Sequence, residues 1–193
     1  MARIGAELRR QDFIEATVKV IAEYGVANAT TRRIAAAANS PLASLHYVFH
    51  TKDELFYAVY ESLFDLPNQA LEHVPIGSTA AESTAEMLRR TVQWFTEHPE
   101  LARTQSELFF WTLRNNPEMA SKIYAMAGEA TERAIKRITG SELDQARLTA
   151  ISRLLINLMD GLLLAWSSHG DLDRLKEETE TACQAVTLLL ASY

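Results

Sequence analysis

The stretch Thr30–Leu55, TTRRIAAAANSPLASLHYVFHTKDEL, decides how this chain is read. Thr30 is suited to cap a short helix that runs through about Ala38, its hydroxyl accepting one of the free backbone N–H groups of the first turn. Asn39 follows, a residue that tolerates the left-handed conformation of a tight turn. Ser40 then reads as a cap, with Pro41 at the first position of a second short helix reaching about Val48. Thr51 caps a third helix, with Asp53 and Glu54 in its first turn, where carboxylates meet the positive end of the helix dipole. Inward positions would be Ile34, Ala35, Ala38, Leu45 and Phe49, and the two alanines are small enough to let the short helices cross closely. Two short helices joined by so brief a turn form the geometry that presents a helix to the DNA major groove, although a helical hairpin in an ordinary bundle has the same spacing.

Helical periodicity continues on both sides. Phe13, Ile14, Thr17, Val20, Ile21 and Tyr24 predict an apolar stripe on a first helix from about Arg9 to Tyr24, ended by a left-handed cap at Gly25. The helix capped by Thr51 continues through Phe64 and should end or kink at Pro67. Pro75–Ser78 reads as a linker. Five more helices are expected at about 79–97, 99–115, 117–139, 141–168 and 171–191, with Pro99 and Pro117 just inside their starts and Gly140 and Gly170 just past their ends. Alternating strand patterns are hard to find, so the expected fold is all-α with about nine helices.

The 193 residues are enough for a proper core, and 48% hydrophobic with 23% charged residues is ordinary for a soluble globular protein. No uncharged apolar run approaches the roughly 18 residues of a membrane span, no apolar segment follows the first charges, and Cys183 stands alone. These features predict a cytoplasmic protein without disulfide or membrane anchor. The net charge of -6 is unevenly spread: residues 1–56 carry seven Lys/Arg against six Asp/Glu, and the remainder is strongly acidic. A DNA-facing N-terminal region on an acidic body is compatible with that asymmetry.

Ala16, Gly25, Thr30, Ile34, Ala35 and Ala38, followed by Leu45, Phe49, Lys52 and Leu55, resemble the DNA-binding region of the TetR family. Phe49–Leu55 is the most specific part of the match, which extends over about residues 9–60. The resemblance implies an N-terminal helix-turn-helix domain, residues 1–56, and a helical ligand-binding and dimerisation domain, residues 57–193. Thr30 and Lys52 would contact phosphates, and Leu42, Ala43, Ser44, His46 and Tyr47 would face the groove. Three departures bear on the operator sequence. Asn39 replaces the usual turn glycine, His46 a phosphate-contacting tyrosine, and Leu42 a common lysine, leaving an apolar side chain that suits a thymine methyl. Arg32 and Arg33 are either phosphate contacts or solvated charges, and Tyr47 is either a groove residue or half-buried packing. The family's mechanism would follow: a small molecule enters the C-terminal domain, the helix through Pro67 carries the motion, and the operator is released.

In the C-terminal region the apolar face of 141–168 is too wide for one neighbour. Ile151, Leu155, Leu158, Gly161 and Leu162, with Leu175, Ala182, Val186 and Leu189 of the last helix, are expected to form a homodimer interface, internal packing being the other reading. A dimer also suits a two-fold operator of double-stranded DNA. Trp94, Phe95, Arg103, Glu107, Phe110, Trp111, Tyr124, Asn157 and Met159 are the candidate lining of a pocket for a small apolar or aromatic effector; each aromatic is otherwise core. Arg103 and Glu107 stand four apart and can pair with each other.

No phosphate-binding glycine loop, Cys-x-x-Cys pair or Gly-x-Ser-x-Gly turn occurs, and His46 and His50 lack an acidic or cysteine partner for a metal. Neither an enzyme, a cofactor nor a metal is expected. A ligand-responsive repressor is the leading reading; a helical small-molecule binder or scaffold with a degenerate DNA-binding surface is the alternative.

Overall fold

The computed structural model describes the backbone of residues 2–70, 79–139 and 143–191, and the side chains within those ranges except 2–6 and 65–70. Among the described residues there are nine α-helices and no strand: α1 (Ala2–Tyr24), α2 (Thr31–Ala37), α3 (Leu42–Val48), α4 (Lys52–Ala70), α5 (Ala80–Glu97), α6 (Pro99–Asn115), α7 (Pro117–Thr139), α8 (Gln145–His169) and α9 (Leu172–Ala191). α1 begins earlier than its apolar stripe, and α4 runs past Pro67 to Ala70 instead of ending there. The expected linker 75–78 and the cap at Gly140 lie outside the described residues.

The helices form two compact units that do not follow chain order: residues 1–63 with 99–123, and residues 64–98 with 124–193. The division expected after Phe56 follows the chain, whereas the first unit also takes in α6 and the start of α7. Its reason is visible in the bonds between them. The Tyr60 hydroxyl donates to the Gln105 carbonyl at 2.8 Å, the Val26 N–H donates to Glu107 Oε2 at 3.2 Å, and the Thr104 hydroxyl reaches the Val18 carbonyl at 3.5 Å. Around them Phe13, Ile14, Val20 and Ile21 of α1 are buried with Leu55, Phe56, Val59 and Leu63 of α4 and Leu108 of α6.

In the second unit α5 and α9 pack most extensively, with α8 against both. Met87, Leu88 and Val92 of α5, Ile135 and Ile138 of α7, Leu148, Ile151, Leu155 and Leu162 of α8, and Leu175, Ala182 and Val186 of α9 form one core. Arg89 of α5 clamps the surface of this packing, bonding Glu86 on its own helix and Glu180 of α9. By length and composition α8 alone among the described helices could cross a membrane, but its apolar face is spent on this core and Asp160 interrupts it.

The dimer assignment requires correction. Ile151, Leu155, Leu162, Leu175, Ala182 and Val186 are buried within their own unit, where α5 packs against the face expected to meet a second subunit, so the internal-packing reading holds for them. Leu158 is partly buried against the same core, and only Gly161 and Leu189 of the expected interface are exposed.

Gly25 ends α1 differently from a left-handed cap. Its N–H still bonds the Ile21 carbonyl at 2.8 Å, but φ 75° and ψ 158° lie in a region open essentially to glycine alone. A Cβ there would also meet Glu107 Oε2 at 3.4 Å. Replacing Gly25 by Ala is expected to destabilise the protein by about 1–3 kcal/mol, read as a lower urea midpoint at unchanged slope.

Candidate nucleic-acid interface

The turn between α2 and α3 is built as the sequence predicts at Asn39, which adopts φ 49°. Its N–H bonds the Ala36 carbonyl and the Ser40 N–H bonds the Ala35 carbonyl, both at 3.0 Å. Ser40 is not the cap of α3: its hydroxyl turns back to the Ala38 carbonyl at 3.2 Å, and Pro41 takes the cap position with extended backbone. Proline supplies no side-chain acceptor, so α3 begins without one. Ile34 and Ala35 of α2, Leu45 of α3 and Phe49, which caps the end of α3, are buried. The opposite side of α3 presents Ala43, His46 and Tyr47 to solvent, Tyr47 at 77% exposure, with Leu42 and Ser44 half-buried at its margin. Tyr47 is therefore a projecting ring and not rim packing.

The cations around α3 are held unequally. The Thr30 hydroxyl accepts the Arg33 N–H at 3.3 Å, capping α2. The Arg33 guanidinium donates to the Asn28 carbonyl at 2.7 Å and lies 4.4 Å from the centre of the Tyr24 ring, whereas Arg32 is simply exposed. Lys52 rests its ammonium 4.7 Å from the Phe56 ring and 5.5 Å from the Trp111 ring, which meet edge to face at 5.2 Å. Burial lowers its pKa from the ordinary lysine value, with the Asp53 carboxylate opposing.

The start of α4 is tied on two sides. Glu54 donates its N–H to Thr51 Oγ1 at 3.0 Å and returns Oε2 to the His50 N–H at 2.9 Å, a reciprocal arrangement signalled by Thr51-x-x-Glu54. The Asn116 side chain donates to Asp53 Oδ2 at 2.9 Å while its own oxygen caps α7 through the Met119 N–H. Nothing in local sequence announced Asn116.

The expected pocket residues divide between the two units. In the first, Glu107 bonds the Val26 N–H rather than Arg103, Trp111 packs on Phe56, and Arg103 and Phe110 are exposed. In the second, Phe95 is core, Trp94 stacks on His98 at 4.3 Å, and Met159 packs against the core. Glu107, Trp111 and Phe95 thus have structural duties that the aromatic composition did not reveal. Tyr124 and Asn157 do come together. The Tyr124 hydroxyl lies 3.1 Å from Asn157 Oδ1 and 3.2 Å from Asp160 Oδ2. Asp160 was not foreseen as a candidate; burial raises its pKa above the ordinary carboxylate value, with the Tyr124 hydroxyl opposing.

Residues 13–59, which hold this helix-turn-helix, match the model of bacterial regulatory proteins of the tetR family. The nicotine-responsive transcriptional repressor HdnoR of Paenarthrobacter nicotinovorans is 27% identical over 170 residues, 85% of this chain and 86% of that one. The match to the tetR family covers the helix-turn-helix region. Solved structures carry the fold likeness over nearly the whole length. A TetR-family member from Streptomyces coelicolor A3 superposes with TM-score 0.72 at 22% identity, covering 91% of this chain and 96% of the other. The multidrug binding protein EbrR complexed with ethidium superposes with TM-score 0.68 at 22% identity, over 91% and 96%. The Thr30 cap is a stability element of α2. Replacing Thr30 by Ala is expected to cost about 1 kcal/mol in chemical denaturation, through loss of the bond to the Arg33 N–H.

Proposed function

We propose that this TetR-family regulator is a repressor that binds a pseudo-palindromic operator as a homodimer and releases it when a small effector binds. The observation that carries the DNA reading is the division of α3, with Leu45 buried and His46 and Tyr47 projecting outward from the same short helix. Tyr47, His46, Ala43, Leu42 and Ser44 read the groove. Thr30, Arg32, Arg33 and Lys52 meet phosphates, which hold the register without specifying sequence. The functional division of the chain is a reading region over residues 1–56 and an effector and dimerisation region over 57–193.

The dimer face lies on the exposed sides of α8 and α9. Gly161 has open space where a Cβ would sit, Leu164 is half exposed one turn further on, and Leu188 of α9 is 72% exposed. Gly161 and Leu189 stay from the original interface, joined by Leu164 and Leu188. HdnoR is named for its response to nicotine and EbrR is seen with ethidium. An effector of comparable apolar bulk suits this chain.

Recovery and sequencing of genomic fragments bound by the purified protein at moderate salt tests the proposal. Enrichment of a two-fold sequence supports it; no enrichment by folded, effector-free protein would move the reading to a helical binder without DNA function. On the recovered operator, Lys52→Ala is expected to weaken binding to all sequences alike and reduce the salt slope by about one unit. Tyr47→Ala is expected to change the ranking among operator variants instead. If neither substitution alters binding, the DNA face lies elsewhere.

A further inference from the structure

Lys52 is a cation that the protein holds without an anion. Its ammonium lies 4.7 Å from the centre of the Phe56 ring and 5.5 Å from that of Trp111, and among the described residues no carboxylate reaches ion-pair distance of it. The positions three and four residues on, where a helix could offer it an acid, carry Leu55 and Phe56. Its two acidic neighbours in sequence are both held by neutral donors. Asp53 Oδ2 accepts the Asn116 side-chain N–H at 2.9 Å, and Glu54 Oε2 accepts the His50 N–H at 2.9 Å.

Packing does not ask for this arrangement. An apolar side chain at position 52 would cover Phe56 and Trp111 without desolvating a charge, and burial is the main influence that lowers the Lys52 pKa. Nor does the cap of α7 ask for it. Asn116 caps that helix with its oxygen, through the Met119 N–H at 3.0 Å, and an aspartate would cap as well. The N–H that reaches Asp53 is a separate contribution.

Together the rings and the amide keep the charge available. The ring faces attract the ammonium and confine a long, flexible side chain while leaving its three N–H donors unused. Asn116 occupies the carboxylate next to it, whose field still acts on the ammonium. A lysine confined in this way loses less freedom when it meets an anion. Trp111 lies on α6 and Asn116 between α6 and α7, both outside the helix-turn-helix.

We infer that Trp111 and Asn116, at the corner of α6 and α7, are positioning residues for the phosphate contact of Lys52, so that affinity for DNA is set in part from outside the helix-turn-helix. The inference rests on the DNA-binding reading above and adds the residues that prepare its cation.

The probe is a fluorescein-labelled mixed-sequence duplex, followed by anisotropy over a salt series, because a phosphate contact acts on every sequence. Trp111→Leu keeps an apolar neighbour but removes the ring, and should weaken duplex binding by about two- to five-fold. Added to Lys52→Ala, it should change nothing further. Asn116→Asp keeps the cap of α7 and sets a second carboxylate against Asp53. It should weaken binding by about three- to ten-fold, and adding Asp53→Asn, which restores the donor–acceptor pair, should return binding to within about two-fold of wild type. In DNA-free protein the Lys52 ε-methylene protons should resonate upfield under the rings and lose part of that shift in Trp111→Leu. Equal duplex binding by wild type and either Trp111→Leu or Asn116→Asp, while Lys52→Ala still weakens it, overturns the inference and leaves the DNA reading standing. So does an equal loss from Trp111→Leu with and without Lys52, or a failure of Asp53→Asn to restore Asn116→Asp. Unchanged binding by Lys52→Ala removes Lys52 from the interface and the inference with it. Folded wild type that shows no salt-dependent binding removes both readings.

Discussion

A seven-residue helix does not persist in water by itself, because nucleating it costs more than its few hydrogen bonds return. Both α2 and α3 have that length. They exist because Ile34, Ala35, Leu45 and Phe49 are buried in a unit whose framework is α1, and α1 can serve as that framework because α6 bonds it at Val18 and the adjoining Val26. DNA recognition is therefore the outermost layer of a dependency that begins with the apolar stripe of α1. Loss of packing at Phe13 or Ile21, both fully buried, would remove the recognition helix without touching any residue that faces DNA.

What could be read in advance follows from which forces are local. Caps and turns are decided within four or five residues, so Thr30, Asn39, Thr51 and Gly170 were legible, and the five C-terminal helices fall within a few residues of where Pro, Gly and periodicity put them. Ser40 was misassigned because Pro41 can occupy either the cap or the first helical position, and the choice is made by the turn that precedes it. The family resemblance added the roles of residues that periodicity leaves neutral, such as Lys52.

Faces could be detected in sequence but not matched to partners. α8 is apolar over a wide arc, and sequence alone does not say whether that arc meets α5 or a second subunit. α5 claims it, which moves six residues from interface to core. The aromatic-rich middle helices show the same limit: Trp111 and Phe95 are spent on packing, which their spacing along the chain does not distinguish from lining a pocket.

The partition of α3 has a consequence for how such a regulator changes over generations. Leu45 anchors the helix alone among its seven residues, while Ala43, His46 and Tyr47 contribute little to the interior. Mutations at these outward positions are nearly free of folding penalty, so under the proposed reading drift can explore new operators without crossing a stability threshold. Gly25 and the buried stripe of α1 have no such latitude. The molecule thus separates an inherited chassis from a rewritable address, and lineages carrying it can diverge in the genes they control while keeping the same shape.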